Sequence, residues 1–146
     1  MASAKDFFND AEKETVVAAI RNAELHTSGE ICVHLDDRCD GNPYNRAIKV
    51  FMHLNMDKKP FRNAVLIYVA VKDKKCSVIG DVALHEKVGN DYWKNIIHTL
   101  SANFKNGQYE QGIIHAITTI GATLAFYFPN VDDLDRNTLP DEISFE

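Results

Sequence analysis

Carboxylate and amide side chains at the ends of predicted strands are the residues of this chain best suited to chemistry. They form two groups, one at each edge of a predicted sheet. The first group is Glu30, Asn63, Asp81 and Asp91. The second group is Asp36, Asp37 and Asp40. Their oxygen atoms are hard donors, which suit Ca²⁺ or Mg²⁺ rather than zinc. The sequence therefore predicts a Ca²⁺ or Mg²⁺ site at one of these two acidic edges.

Each group also has an interpretation without a metal. In the first group, Arg62 can pair with Glu30 or Asp81, and Asp91 can simply cap a helix. A cation beside the Arg62 guanidinium would lose part of its attraction to the carboxylates. Both interpretations of the first edge stay open at the level of sequence.

The second group resembles the start of an EF-hand loop without completing one. The pattern Asp36-x-Arg38-x-Asp40 has an arginine where the second ligand is needed, and Ala47 stands at the twelfth position. A solvated loop is the alternative interpretation. The group does, however, follow a predicted parallel strand, and open α/β sheets bind ligands at the carboxyl ends of such strands.

Motifs for a catalytic nucleophile or for zinc are incomplete. Cys32 and Arg38 have the C-x5-R spacing of cysteine phosphatases, but no glycine lies between them to aim backbone N–H groups at a phosphate. His85 and Glu86 lack the second histidine of H-E-x-x-H, although His85, near Asp81, is a candidate proton donor. Three cysteines without C-x-x-C spacing predict neither a disulfide framework nor a zinc knuckle.

The strands that position these residues are organised around the apolar run at 65–71. It is an almost uninterrupted run of β-branched and other apolar residues, which predicts a strand buried on both faces. A polar turn at 72–75 and a second apolar run at 76–79 predict an antiparallel hairpin. Residues 30–36 form the first strand, and the Asn42-Pro43 pair starts a helix, so strands one and two are predicted to be parallel.

Helical periodicity accounts for most of the remaining chain. Helices are predicted at about 10–26, 43–56, 91–104 and 108–127, with a helical turn at 82–89 and caps at Asn9 and Asn90. Helices on both faces of a small mixed sheet define the fold class as α/β, a three-layer α/β/α sandwich. The predicted organisation is one domain over 1–129 followed by an acidic tail over 130–146.

Charge and hydropathy exclude some partners. The formal charge is −5, and the tail alone carries six acidic residues against Arg136, so the body has no basic stripe for nucleic acid. The apolar stretch 112–128 is slightly short for a membrane span and contains His115 and Gly121, which favours a buried helix. No apolar leader segment follows Met1, which predicts a cytoplasmic protein.

Several short motifs occur together in an order typical of one family. They are Thr27-Ser28-Gly29-Glu30, Arg62-Asn63-Ala64-Val65, Ile79-Gly80-Asp81, Phe104-Lys105-Asn106-Gly107, Phe128-Pro129 and Leu139-Pro140-Asp141-Glu142. Together they resemble the TPM domain, also called TPM phosphatase, of thylakoid and bacterial proteins. The resemblance implies an α/β/α sandwich, an acidic calcium or magnesium site in some members, and acid phosphatase activity in a plant member.

The expected function is a soluble TPM-like domain that binds Ca²⁺ or Mg²⁺ and acts as an accessory module, with a membrane-protein complex as a partner. One alternative is a metal-assisted phosphatase of phosphomonoesters, with Asp81 or Asp91 assisting proton transfer. Another is a protein-interaction domain without a ligand.

Overall fold

The central sheet has four strands in the order β3-β2-β1-β4. The computed structural model describes residues 3–130 and 143–145. Strands β1 (Glu30–Asp36) and β2 (Ala64–Ala70) are parallel, and β3 (Lys75–Gly80) returns antiparallel to β2. The predicted topology of these three strands is therefore confirmed.

Strand β4 (Ile143–Phe145) was not predicted. It pairs in parallel with β1, with Ser144 opposite His34. The segment that the sequence places in an acidic tail thus supplies the strand beyond β1. Most of that predicted tail, at 131–142 and 146, lies outside the described residues.

The helices begin where the sequence provides capping groups. Asn9 and Glu12 form a reciprocal capping box at α1, and Asn42 caps α2, whose first residue is Pro43. Asp81 caps α3. The bounds are α1 Asp10–Glu24, α2 Pro43–His53, a 3-10 turn at Met56–Lys58, α3 Val82–Val88, α4 Asn90–Lys105 and α5 Tyr109–Tyr127.

The predicted cap of α4 was wrong by one residue. Gly89, with a left-handed φ of 79°, is the N-cap, and Asn90 is already helical. The reason is that α3 and α4 are separated by this single residue, and a glycine adopts such a backbone conformation without steric cost. No side chain caps the first turn of α4.

Two apolar clusters make the sandwich three layers thick. Side chains of α1, α4 and α5 pack on one face of the sheet, against Ile31, Val33 and Leu35 of β1. Helix α2 and Met56 pack on the other face. Every residue of β2 is buried, as the apolar run predicts.

Helix α5 contributes its buried side to the first cluster, as the interruptions in its sequence predict. None of the helices in the described part of the chain combines the length and apolar content that a membrane span requires. Trp93 of α4 is 7% exposed and belongs to the same cluster.

Candidate functional site

The first acidic edge is assembled by the backbone as the topology predicts. Glu30 lies opposite Ala64, the neighbour of Asn63, and the Asp81 N–H donates to the Ala64 carbonyl over 2.9 Å. Glu30, Asn63 and Asp81 are all buried, whereas Asp91 is exposed in the first turn of α4.

Arg62 forms an ion pair with the carboxylate of Asp81 at this edge. Its Nε and Nη2 donate to the two Asp81 oxygens over 2.6 and 2.8 Å, and the Val82 N–H donates to Oδ1 over 2.8 Å. Asn63 donates from its amide nitrogen to the Ser28 hydroxyl over 3.1 Å. The donors around Asp81 are those of an ion pair and a helix cap, which is the metal-free arrangement considered for this edge.

Asp36, at the second edge, is buried and surrounded by donors. Its carboxylate accepts from the Tyr68 hydroxyl over 2.6 Å and from Arg46 Nε over 2.8 Å. His34 Nε2 lies 2.8 Å from the other oxygen, and His34 Nδ1 lies 2.8 Å from the hydroxyl of Ser144 on β4. These contacts connect α2, β2 and β4 through one carboxylate of β1.

The network keeps Asp36 ionised. Burial alone would raise the pKa of Asp36, but hydrogen bonds from Arg46, Tyr68 and His34 outweigh it and lower the pKa below 3.8. Burial and the hydrogen bond to Asp36 raise the pKa of the Tyr68 hydroxyl well above 10. Tyr68 therefore acts as a donor at every pH at which the domain is expected to be folded.

An open hollow of about 410 Å³ lies beyond Asp36, at the carboxyl end of β1. It is lined by Asp36, Asp37, Arg38, Cys39, Asp40 and Arg46. Asp37 Oδ1 accepts the Ala4 N–H, and Asp40 is exposed without a hydrogen bond or ion pair to any described residue.

Positively charged side chains lie beside the same hollow. Lys75 Nζ donates to the carbonyl oxygens of Cys39 and Gly41 over 3.1 and 3.0 Å. Arg38 pairs with Asp73, whose pKa is lowered mainly by a hydrogen bond from the Cys39 N–H and further by Arg38 and Lys75. The loop thus presents backbone carbonyls to a positive group, while the surrounding carboxylates are partly neutralised.

The donor sets differ in how well they fit a cation. Among residues 3–130 and 143–145, no three His, Cys, Asp or Glu side chains are arranged to hold a metal ion. At the first edge the Asp81 oxygens are taken by Arg62. In the hollow, Asp37 and Asp40 are hard oxygen donors beside carbonyls, so a cation there would rely on two carboxylates, backbone oxygens and water.

The residues that the sequence analysis missed are His34, Tyr68 and Arg46. A signal for His34 was present, because alternation in β1 places Cys32, His34 and Asp36 on the face opposite Ile31, Val33 and Leu35. Tyr68 and Arg46 lie 32 and 10 residues from Asp36 in the chain, and no local pattern connects them to it.

Cys32 and Arg38, which have C-x5-R spacing, do not form a phosphate-binding loop. Cys32 is 1% exposed within β1, and burial, followed by the charges of Glu24 and Glu30, raises the pKa of its thiol to about 12. Arg38 is exposed and pairs with Asp73. The thiol and the guanidinium therefore lie in different environments, one buried within the sheet and the other exposed.

The fold and the hollow define a class of protein, an α/β/α sandwich with an acidic loop at the carboxyl end of its parallel strands. The chain belongs to the TPM domain family, whose model matches residues 2–123. The resemblance predicted from its motifs is thereby confirmed. No curated protein matches the chain.

Solved structures share the fold. The NMR structure of BA42 protein from the psychrophilic bacterium Bizionia argentinensis is 39% identical, covers 100% of both chains and has a TM-score of 0.88. An N-terminal domain from P. gingivalis is 15% identical, over 83% of this chain and 78% of that one, with a TM-score of 0.68. The N-terminal domain of cg2496 from Corynebacterium glutamicum is 10% identical, over 82% and 75%, with a TM-score of 0.65. The last two show the fold alone.

Proposed function

We propose that this TPM domain binds a hydrated divalent cation in the hollow bordered by Asp37 and Asp40. The observation that carries the proposal is that the second edge combines an open hollow with a carboxylate, that of Asp40, that has no partner among the described residues, whereas Asp81 at the first edge is already bound by Arg62. Carboxylates at the carboxyl end of a parallel strand are in the place where open α/β sheets bind ligands.

Two backbone carbonyls also lie beside the hollow. The carbonyl oxygens of Cys39 and Gly41 accept from the Lys75 ammonium over 3.1 and 3.0 Å. Ca²⁺ commonly takes such carbonyls as ligands together with carboxylates and water. Because the Lys75 ammonium repels a second cation, these carbonyls can become ligands only where Lys75 turns away, and otherwise the two aspartates and water supply the ligands.

Affinity at this site should be low. Arg46 neutralises Asp36 and Arg38 pairs with Asp73, so the charge available to a cation is mainly that of Asp37 and Asp40. Oxygen sites with few charged ligands bind Ca²⁺ with dissociation constants of about 10⁻⁴–10⁻³ M. Mg²⁺ would keep most of its water and bind through one or two carboxylates.

The test is a titration of backbone amides with CaCl₂ and MgCl₂, with NaCl used to match ionic strength. We expect saturable shifts at 36–42 and 72–75. The variants Asp40→Asn and Asp37→Asn should each weaken binding about tenfold or more, since each removes one of two charged ligands. Asp91→Asn, an exposed aspartate of the first edge, is the matched control and should leave the affinity unchanged.

Two outcomes would overturn the proposal. One is a set of shifts centred on 30, 63, 80–82 and 91 that disappears in Asp91→Asn, which would assign the cation to the first edge. The other is a response to CaCl₂ that equals the response to NaCl, which would leave a ligand-free interaction domain as the better account.

A further inference from the structure

Helix α2 exposes a row of apolar side chains on the side that faces away from the sheet. Its inner side, which packs on the sheet, consists of Ala47, Val50 and Phe51. Tyr44, Ile48 and Met52 are nevertheless 53%, 37% and 52% exposed. Side chains four residues apart are neighbours on a helix, so these three form one line along its outer side. The outer side of a surface helix is normally polar, which makes this row a candidate contact surface.

The charges of the chain are also unevenly distributed. Residues 42–75 contain eight lysines and arginines against Asp57 and Asp73, a net charge of +6 in a chain whose total is −5. These residues form α2, the turn after it, β2 and the hairpin turn that leads to β3. The near-neutral average of the body therefore conceals a basic part that includes the apolar row.

Lysines lie beside the row along its whole length. Lys49 is exposed in the middle of α2, next to Ile48. Lys58, whose side chain is 72% exposed, lies in the 3-10 turn that follows the carboxyl end of α2. At the amino end, Lys75 Nζ donates to the carbonyl of Gly41, just before the helix. We call the surface formed by Tyr44, Ile48, Lys49, Met52 and Lys58 the α2 face.

Most exposed acidic residues lie away from the α2 face. Helix α2 contains no aspartate or glutamate. Asp57 is half-buried with its Oδ2 atom 3.7 Å from Lys58 Nζ, and Asp40 precedes the amino end of the helix. The exposed Asp10 and Glu14 belong to α1, in the opposite layer. Because a helix with its side chains is about 10 Å across, these acids lie beyond the Debye length of about 8 Å at physiological salt.

The combination of charge and apolar surface distinguishes between possible occupants. A second copy of the chain, related by a twofold axis, would bring two basic patches together, and these would repel each other. A nucleic acid would pair with the lysines but leave the apolar row in water. A layer of anionic lipid offers negative headgroups to the lysines and an apolar phase to the side chains of the row.

We propose that the α2 face binds the surface of an anionic phospholipid membrane, with α2 parallel to the bilayer. Tyr44, Ile48 and Met52 would enter the interface, where tyrosine is a common residue. Lys49 and Lys58 would contact the headgroups. This binding role requires no divalent cation and is separate from the cation hollow.

Sedimentation of the whole chain with vesicles tests the proposal. One set of vesicles contains phosphatidylcholine and phosphatidylserine in equal amounts, and the other contains phosphatidylcholine alone. EDTA is present throughout, so that the result is independent of the cation hollow. We expect saturable binding to the mixed vesicles and binding about tenfold or more weaker to phosphatidylcholine, since each lysine near an anionic surface contributes about fivefold. The binding should weaken as NaCl is added.

Matched variants identify the surface. Lys49→Gln should weaken binding to the mixed vesicles about fivefold, whereas Lys105→Gln, the same change at an exposed lysine of α4 in the opposite layer, should not. Met52→Ser should also weaken it about fivefold or more, whereas Phe126→Ser, at an exposed aromatic residue of α5, should not. Each pair changes charge or apolar area equally, so only the position differs.

Fluorescence gives a readout of depth. Lipids with brominated acyl chains quench a tryptophan that enters the bilayer. The wild-type chain has one tryptophan, the buried Trp93, which should not be quenched. The variant Tyr44→Trp should be quenched by mixed vesicles that contain brominated lipid, because its new side chain lies in the proposed contact.

Several results would contradict the proposal. Absence of saturable binding to the mixed vesicles at low salt would do so directly. Equal losses in Lys49→Gln and Lys105→Gln would indicate an effect of total charge or another surface. A dimer in solution that dissociates in Met52→Ser, without vesicle binding, would assign the α2 face to a second copy. Saturable binding of a polyglutamate peptide at 44–53, again without vesicle binding, would assign it to an acidic protein.

Discussion

Replacing Tyr68 by phenylalanine tests whether the Asp36 network stabilises the fold. Tyr68 is fully buried, and its hydroxyl donates to Asp36 over 2.6 Å. A hydrogen bond to a charged group contributes about 1.5–3 kcal/mol, and here the acceptor left behind is a buried carboxylate. We expect Tyr68→Phe to lower the free energy of unfolding by about 2 kcal/mol at pH 7, which for a domain of this size lowers Tm by about 5–10 °C.

Tyr92→Phe is the matched control. The Tyr92 hydroxyl donates over 2.7 Å to the hydroxyl of Thr123, which is a neutral acceptor in a half-buried position. A neutral hydrogen bond contributes about 1 kcal/mol. Both variants lose one phenolic oxygen, so the difference between them reports the charge of the Asp36 acceptor together with its deeper burial.

The stability penalty of Tyr68→Phe should depend on pH, in a direction set by the pKa of Asp36. Because the folded pKa of Asp36 is below its unfolded value of 3.8, the ionised network stabilises the fold fully above that value. This stability is lost as the pH falls through the folded pKa. The penalty of Tyr68→Phe should therefore shrink between pH 5 and the lowest pH at which both proteins remain folded, while the penalty of Tyr92→Phe should stay constant.

Urea unfolding followed by circular dichroism at several pH values measures both effects. Equal penalties for the two variants at pH 7, or a Tyr68→Phe penalty that does not change as Asp36 is protonated, would refute the argument. In either case Tyr68 would contribute through packing alone.

Three other changes test separate parts of the structure. Gly80→Ala forces the Trp93 ring away from the strand and should cost about 1–3 kcal/mol in urea unfolding; a neutral result would contradict the close packing. Activity on p-nitrophenyl phosphate should be weak or absent, since none of the residues that the structure describes places an activated nucleophile next to the cation hollow; robust turnover that disappears in Asp81→Asn would favour the phosphatase alternative. Cys32, whose pKa burial and nearby carboxylates raise to about 12, should resist iodoacetamide at pH 8 until urea is added, as mass spectrometry would show; labelling of the native protein would contradict its burial.

Local patterns in the sequence were sufficient for most of the fold. The caps at Asn9 and Asn42 are specified by neighbouring residues, and the apolar run at 65–71 specifies a buried strand by itself. Strand β4 could not be predicted in the same way. It has three residues, and its partner β1 is more than a hundred positions away in the chain, so its pairing depends on tertiary contacts.

The two acidic edges show why the site was harder to predict than the fold. Sequence position placed Asp36 and Asp81 correctly at strand ends, but position alone does not reveal which carboxylates are already satisfied. Each of the two is buried and bound by an arginine, Arg46 or Arg62. Spacing therefore located the edges, whereas the partners of the carboxylates came from the three-dimensional structure.

The same arginines explain why cation binding should fall to loop residues. A buried carboxylate without a partner costs too much to keep ionised, so Asp36 and Asp81 need the arginines for folding. A metal ion would have to displace a guanidinium from either of them and break several hydrogen bonds. Asp40 has no such partner among the described residues, and a cation can approach it without that loss. The carboxylates that stabilise the sheet and the carboxylates free to bind a ligand are thus different residues.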